Sequence, residues 1–328
     1  MNTPNHQLLQ KALGFRIPQY AHMSVTVSES GGKLSKREQP KALRAAIKAA
    51  APDQLPRIAA AGGISVAELD SFLAGDTTPD MPAIVAMAAA IGVHLPEINV
   101  LDFFRSGYLP ETMINFLALL GWNPGDGREI MDRAELIDAF DLSRVGKSNS
   151  LFDRNKLMSF NTEHYKRTPM PTLVQHFRAY LNENRSPVAA ADDAMLERIL
   201  KINDGARTLA QVEQKTRFAY IADEAFEYDP AAVNKVLLKN DGLAILAEVG
   251  RRLAALKELT PDSIEAMLRQ LAEEKQVGLG KVAQPLRVAI TGTTVSPPIF
   301  EAVEMLGITR TLARIQRTQK QFQQGKES

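Results

Sequence analysis

The sequence predicts a mainly α-helical protein, on three observations. Aromatic residues make up only 6% of the 328 positions while alanine and leucine recur throughout, so strong helix formers outnumber β-branched runs. From residue 171 onward every segment carries helical spacing and is joined to the next by a short polar link. No regular alternation of strand and helix appears anywhere. At 45% hydrophobic residues the chain has apolar material for several cores, so a folded protein is expected.

The elements follow in order. A short helical segment over residues 7–13 precedes an alternating run at residues 22–27, which reads as a strand and is broken by Gly31-Gly32. A basic loop comes next: Lys33, Leu34, Ser35, Lys36 and Arg37. Over residues 1–37 the only acid is Glu29, against five Lys or Arg. Residues 40–104 change texture to short alanine-rich helices punctuated at Pro52, Gly62-Gly63, Gly75 and Thr78-Pro79. Pro110 then opens a helix whose Met113, Phe116, Leu117 and Leu120 share one face and are expected in the core. A second helix covers residues 133–140, and Asp153 caps a third in which Leu157, Phe160 and His164 face one way. Helices are predicted over residues 172–182, 193–202, 241–256 and 261–274. A flexible joint is expected at Asn184-Arg185-Ser186-Pro187, and a subdomain boundary near residue 260.

Composition removes several functional classes. With no cysteine there are no disulfides, no thiolate chemistry and no cysteine-ligated zinc, a composition that suits a reducing cytoplasm. The histidines are scattered, without metal spacing, so no metal site is expected. No stretch approaches the roughly 20 apolar residues of a membrane span, and the N-terminus has no leader pattern. A cytoplasmic protein without a membrane partner is therefore expected. The net charge of +1 carries no information about a polyanionic partner, because the distribution of basic residues decides that.

Two basic features stand out. Two lysines and an arginine on a glycine-hinged loop, with a serine between them, can close over a triphosphate and neutralise charge developing there; a solvated loop is the ordinary alternative. Towards the C-terminus, residues 277–299 hold Lys281 and Arg287 and no acid. Beyond them Arg310, Arg314 and Arg317 are spaced to share one helix face, with Leu312 and Ile315 elsewhere. Such a face suits phosphates and single-stranded bases, or simply solvent.

Three stretches together resemble glutamyl-tRNA synthetase, in that family's order. The first runs from Ser24 through the K-L-S-K-R loop, similar to the second signature of class I synthetases. The second is G-Y-L-P-E-T-M-I-N-F-L-A-L-L-G-W-N-P-G over residues 107–125, echoed by F-D-R-N-K-L at 152–157 and N-x-x-H-Y at 161–165. The third is K-V-A-Q-P-L-R-V-A-I-T-G over residues 281–292, followed by S-P-P at 296–298 and E-x-L-G at 304–307. The resemblance implies a glutamate–tRNA ligase that couples ATP to the attachment of glutamate to tRNA. It implies that Lys36 contacts ATP phosphates, supported by Lys33, Ser35 and Arg37, and that Mg2+ accompanies ATP in the full enzyme. It implies tRNA contacts by Lys281, Arg287, Arg310, Arg314 and Arg317.

The same resemblance places the nucleotide-binding sheet, the H-I-G-H signature and the glutamate pocket before Met1, so glutamate activation by this chain alone is not expected. Without that sheet, the strand at residues 24–27 is expected to lack a partner and to be poorly ordered. A non-enzymatic tRNA-binding module acting with a separate catalytic chain is the alternative reading. The implied organisation is a catalytic-domain remnant (1–39), an inserted helical module (40–105), stem-contact helices (106–170) and an all-helical anticodon-binding domain (171–328) split near 260. Nothing demands a dimer, and a monomer is expected.

The insertion is the departure from the family, since about seventy positions separate K-L-S-K-R from G-Y-L-P-E. It resembles the helix-turn-helix of repressor-type domains, with a turn at Gly62-Gly63-Ile64, a second helix over residues 66–73 and a packing helix over 82–91. Residues 58–104 contain six acids and no Lys or Arg. Duplex DNA would repel that surface, so DNA is not an expected partner; the more basic helix with Lys41, Arg44 and Lys48 is the one feature favouring it.

Overall fold

The structure is a computed structural model, and it describes residues 2–28, 31–32, 35, 37–239 and 241–323. The chain divides into two compact units, one formed by Met1–Phe103 with Pro110–Phe160 and the other by Phe104–Leu109 with Asn161–Ser328. Among the described residues, no helix is long and apolar enough to cross a membrane.

In the first unit, α1 (Thr3–Ala12) buries none of its residues. The inserted segment forms α2 (Glu38–Ala49), α3 (Leu55–Ala61), α4 (Val66–Ala74) and α5 (Met81–Ala90). Their apolar faces meet in a core of Leu43, Ile47, Ile58, Leu69, Phe72 and Met87. Local chemistry sets the boundaries. Ser65 and Glu68 form a reciprocal capping box at the start of α4, with Ser65 N donating to Glu68 Oε2 at 2.8 Å, and Asp80 accepts from Ala83 N at 2.9 Å to start α5. α4 and α5 thus fall within one residue of the helices expected at 66–73 and 82–91. α6 (Val100–Arg105) follows, announced by Asp102, which accepts from Ile98 N at 3.0 Å and Asn99 N at 2.9 Å.

The strand expected to be unpartnered has a partner. β1 (Thr26–Val27) lies parallel to β2 (Ser150–Leu151), with Thr26 opposite Ser150 and Val27 opposite Leu151. Phe152 N donates to Val27 O at 2.9 Å, extending the ladder by one bond. A parallel pair needs a long crossover, and this one spans the whole insertion.

α7 (Pro110–Ala118) and α8 (Arg133–Ala139) complete this unit with the start of α9 (Arg154–Arg167). Asp153 caps α9 through Lys156 N at 3.0 Å, as its sequence position predicts. Phe116, Phe152 and Phe160 pack edge to face, with centroids 5.1 and 5.8 Å apart. The predicted core face of α7 is only partly right. Met113 and Phe116 are buried, but Leu117 is 43% exposed, and the buried face is completed instead by Thr112 and Asn115. Asn115 earns its burial by accepting from Met131 N at 3.0 Å.

The second unit has two hydrophobic cores. α10 (Met170–Glu183), α11 (Asp193–Ile202) and α12 (Leu209–Thr216) enclose Phe177, Leu181, Leu196, Ile199 and Val212. The second core is built from a short α13 (Pro230–Ala232) running into a π turn (Val233–Leu237), then α14 (Gly242–Ala255), α15 (Pro261–Glu274), α16 (Leu279–Thr291), α17 (Ile299–Leu306) and α18 (Ile308–Gln323). Leu253, Leu268, Leu286, Val303 and Ile315 belong to it. Because this core includes residues on both sides of position 260, Thr260-Pro261 is a helix start inside one packed body and not the expected subdomain boundary.

The expected flexible joint is also a packed turn. Ser186 is buried, its Oγ donating to Glu213 Oε1 at 2.7 Å and accepting from Val188 N at 3.2 Å. Val188 behind it is fully buried.

The second sequence motif ties the first core of this unit together. Asn161 accepts from Leu109 N at 2.9 Å and donates to Arg207 O at 2.6 Å. Gly107, with φ of 81°, passes so close to α12 that a Cβ there would sit 2.3 Å from Ala210 N. Both the conformation and the space demand glycine.

Candidate nucleic-acid interface

Of the basic loop, Lys33 and Lys36, expected to contact phosphates, lie outside the described residues. After β1, Gly31 N donates to Ser28 O and Ser28 N to Gly32 O, both at 2.8 Å. Ser35 is half-buried, and its carbonyl accepts from Glu38 N at 3.1 Å. Arg37 is exposed and occupies the N-cap position of α2. Ser35 and Arg37 are thus placed by the first turn of a helix.

The arginines of α18 do share a face, but its middle residue, Arg314, turns inward, while Arg310 is half-buried and Arg317 exposed. Arg314 is 1% exposed. It donates to Asp223 Oδ1, to Phe218 O at 2.9 Å and to Ile290 O at 2.5 Å, and its guanidinium lies 4.1 Å from the Phe226 ring centroid. Arg310 donates to Ala219 O, Ile221 O and Asp223 at 2.6, 2.7 and 2.9 Å. Arg317 donates to the Asp223 and Phe226 carbonyls. The expectation of a phosphate-reading arginine face is corrected for Arg314, and Arg310 and Arg317 are largely engaged as well. A guanidinium offers five fixed donors, and here they satisfy carbonyls of the 217–226 segment that makes little regular structure of its own. Helical periodicity correctly grouped the three residues; it does not say which neighbour the face meets.

The electrostatics agree with that placement. Hydrogen bonding from Arg310, then from Arg314, holds the Asp223 carboxyl below its ordinary range against the opposing effect of burial. Burial pushes the Arg314 guanidinium down, and Asp223 counteracts it.

Lys281 and Arg287 lie on α16 with different surroundings. Arg287 is half-buried, and its Nε donates to Ser296 Oγ at 2.9 Å, attaching the S-P-P loop to the helix. Burial lowers its pKa. Gly292 closes the helix with φ of 77°, and a Cβ there would lie 2.2 Å from Glu227 O. Val295 on the following loop is 61% exposed. Lys281 is exposed at the other end of α16, where it borders a cavity of about 550 Å³ shared with Lys235 and Lys239. Sequence reading missed the two partner lysines, because the cavity joins the π turn to a helix far along the chain and no periodic pattern links them. Among the described residues, no group of three or more His, Asp or Glu could hold a metal ion.

Comparison with known proteins accords with this arrangement. Residues 172–319 match the anticodon binding domain family, and residues 97–159 match the catalytic domain of class I tRNA synthetases (E and Q). The catalytic-domain match thus covers the end of the insertion and most of the segment expected to contact the tRNA stem. A glutamate–tRNA ligase of Thermodesulfovibrio yellowstonii is 37% identical over 222 residues, covering 67% of this chain and 47% of the relative. One of Syntrophobacter fumaroxidans is 32% identical over 317 residues, covering 96% of this chain and 54% of the relative. The crystal structure of a glutamate tRNA ligase from Elizabethkingia meningosepticum in complex with its amino acid superposes with a TM-score of 0.61 at 26% identity, covering 96% of this chain and 54% of that one. The chain spans about half the length of the curated relatives it matches.

Proposed function

Since the chain belongs to the glutamyl-tRNA synthetase family, we propose that it binds tRNA for glutamate through its second unit and serves ATP-dependent attachment of glutamate to that tRNA in the cytoplasm. The observation that carries this reading is the anticodon-binding match over residues 172–319, which coincides with the helices that present Lys281 and the Arg287–Ser296 loop. Accessible cations on such a body attract phosphates, and a half-buried arginine beside an exposed loop can hydrogen-bond unstacked bases.

The K-L-S-K-R loop takes the ATP role in this proposal. Lys36 meets the phosphates, with Lys33, Ser35 and Arg37 in support. The exposed position of Arg37 beside the N-terminus of α2 suits an anionic ligand. ATP, accompanied by Mg2+, supplies the activated phosphorus for adenylate formation.

The test is glutamate-dependent ATP–pyrophosphate exchange alongside tRNA binding, both with the chain as it stands. Saturable binding of tRNA for glutamate supports the reading, and exchange in the same preparation would add the ligase chemistry. Binding without exchange is the outcome expected of a chain that spans about half the length of its relatives, and assigns it the tRNA-holding role. Failure to bind tRNA would overturn the proposal.

A further inference from the structure

The cavity beside Lys281 has features that tRNA affinity in general does not require. Lys235 projects from the π turn, Lys239 follows it, and Lys281 comes from the first turn of α16, so three cations from two elements border one space with no acid in its lining. Val236 and Pro285 contribute apolar surface to its wall. Gln284 also lines it, and the Gln284 Oε1 atom is buried without a hydrogen-bond partner, a cost a ligand with a polar edge would relieve. The N-cap of α16 is Gly278, which makes no side-chain cap, so the first amides of that helix also favour an anion. At Gly278 and Gly280, which also line the cavity, an added Cβ would meet nothing within 4 Å.

We propose that this cavity holds a single nucleotide, with its phosphate against Lys235, Lys239 and Lys281 and its base against the apolar surface of Val236 and Pro285, where the Gln284 amide meets the base edge. The volume of about 550 Å³ lies in the range of small-ligand sites. A bare phosphate would leave the apolar wall and the amide unused. The inference rests on the reading of the second unit as a tRNA-binding body, and the nucleotide can come from a polynucleotide or be free.

The experiment uses the full chain. Binding of tRNA for glutamate is followed by filter retention across a salt series, and binding of AMP by equilibrium dialysis. Gly280→Leu fills the cavity without removing charge, Lys235→Ala/Lys239→Ala/Lys281→Ala removes charge without filling it, and Gly280→Ala with thermal melting controls for folding. Expected is a loss of at least tenfold in tRNA affinity for Gly280→Leu with an unchanged salt slope. The lysine variant should flatten that slope by about 1. Saturable AMP binding, lost in both variants, would instead identify a free nucleotide as the occupant. Unchanged tRNA binding in both variants together with no saturable AMP binding would overturn the cavity. If the unaltered chain binds no tRNA, the reading of function fails, and the AMP measurement alone decides the cavity.

Discussion

Arg314 Nε and Nη2 lie 3.0 and 2.8 Å from a single oxygen, Asp223 Oδ1. One guanidinium buried in a helical core thereby anchors the 217–226 segment through its carboxylate and the Phe218 carbonyl, and ties it to α16 through Ile290 O. Truncating the carboxylate leaves a buried cation short of its partner, whereas the carboxylate itself is 38% exposed and has water available. Asp223→Ala is expected to lower stability by about 2 kcal/mol, read as a shift of the urea midpoint at constant m-value. Arg314→Lys should not restore wild-type stability, because an ammonium cannot reach three acceptors in fixed directions.

The same pair sets a pH dependence. The folded Asp223 carboxyl is held below its ordinary value of 3.8 by Arg310 and Arg314. Its stabilising contribution is complete above that value and is lost as the pH falls through it towards the lower folded value. The stability difference between wild type and Asp223→Asn should therefore be constant near neutrality and shrink below pH 3.8. A difference that grew on acidification would contradict this assignment.

Gly107 and Asn161 offer a test of how the second motif works. Gly107→Ala must move α12 or abandon a backbone with φ of 81°, and a loss of at least about 2 kcal/mol is expected. Asn161→Ala leaves the Leu109 N–H without its acceptor, which costs about 1–3 kcal/mol. Thermal melts of the two single variants and their double should show non-additivity, since both act on the same close approach.

The helix boundaries were legible wherever the chain punctuates them chemically. α11 and α15 occupy the residues predicted for them, α15 because Thr260 and Ser263 satisfy each other's amides ahead of Pro261. Gly107 and Gly292 of the motifs are likewise explained by backbone approaches that only glycine permits. What could not be read are pairings across long separations. β1 finds β2 through two residues on each side, too short for any alternation to announce. The inward turn of Arg314 depends on Asp223, nearly a hundred positions earlier. Leu117 reads as core because the helical period marks a face, but Thr112 and Asn115 take the buried places, Asn115 through a hydrogen bond from Met131 N that periodicity ignores. The lysine cavity unites a π turn and a helix start, neither of which carries a motif.

The inserted module should not bind duplex DNA. Arg44, central to its most basic helix, donates to Phe72 O at 2.6 Å and stacks over the Phe72 ring at 4.6 Å, so one of three candidate cations is committed inward. Gel-shift titration with random-sequence duplex should give no salt-dependent retention by Lys41→Ala/Lys48→Ala beyond or below that of the unaltered chain. A clear loss of DNA affinity in that variant would assign the module the role its architecture resembles.

The central claim is that the second unit holds tRNA, and filter binding of tRNA for glutamate by the full chain, with and without Arg287→Ala, tests it most directly. The account predicts saturable binding that weakens with salt and falls by about tenfold or more in the variant, with an unrelated tRNA bound more weakly. Equal, weak retention of both RNAs, unaltered by Arg287→Ala, would contradict it.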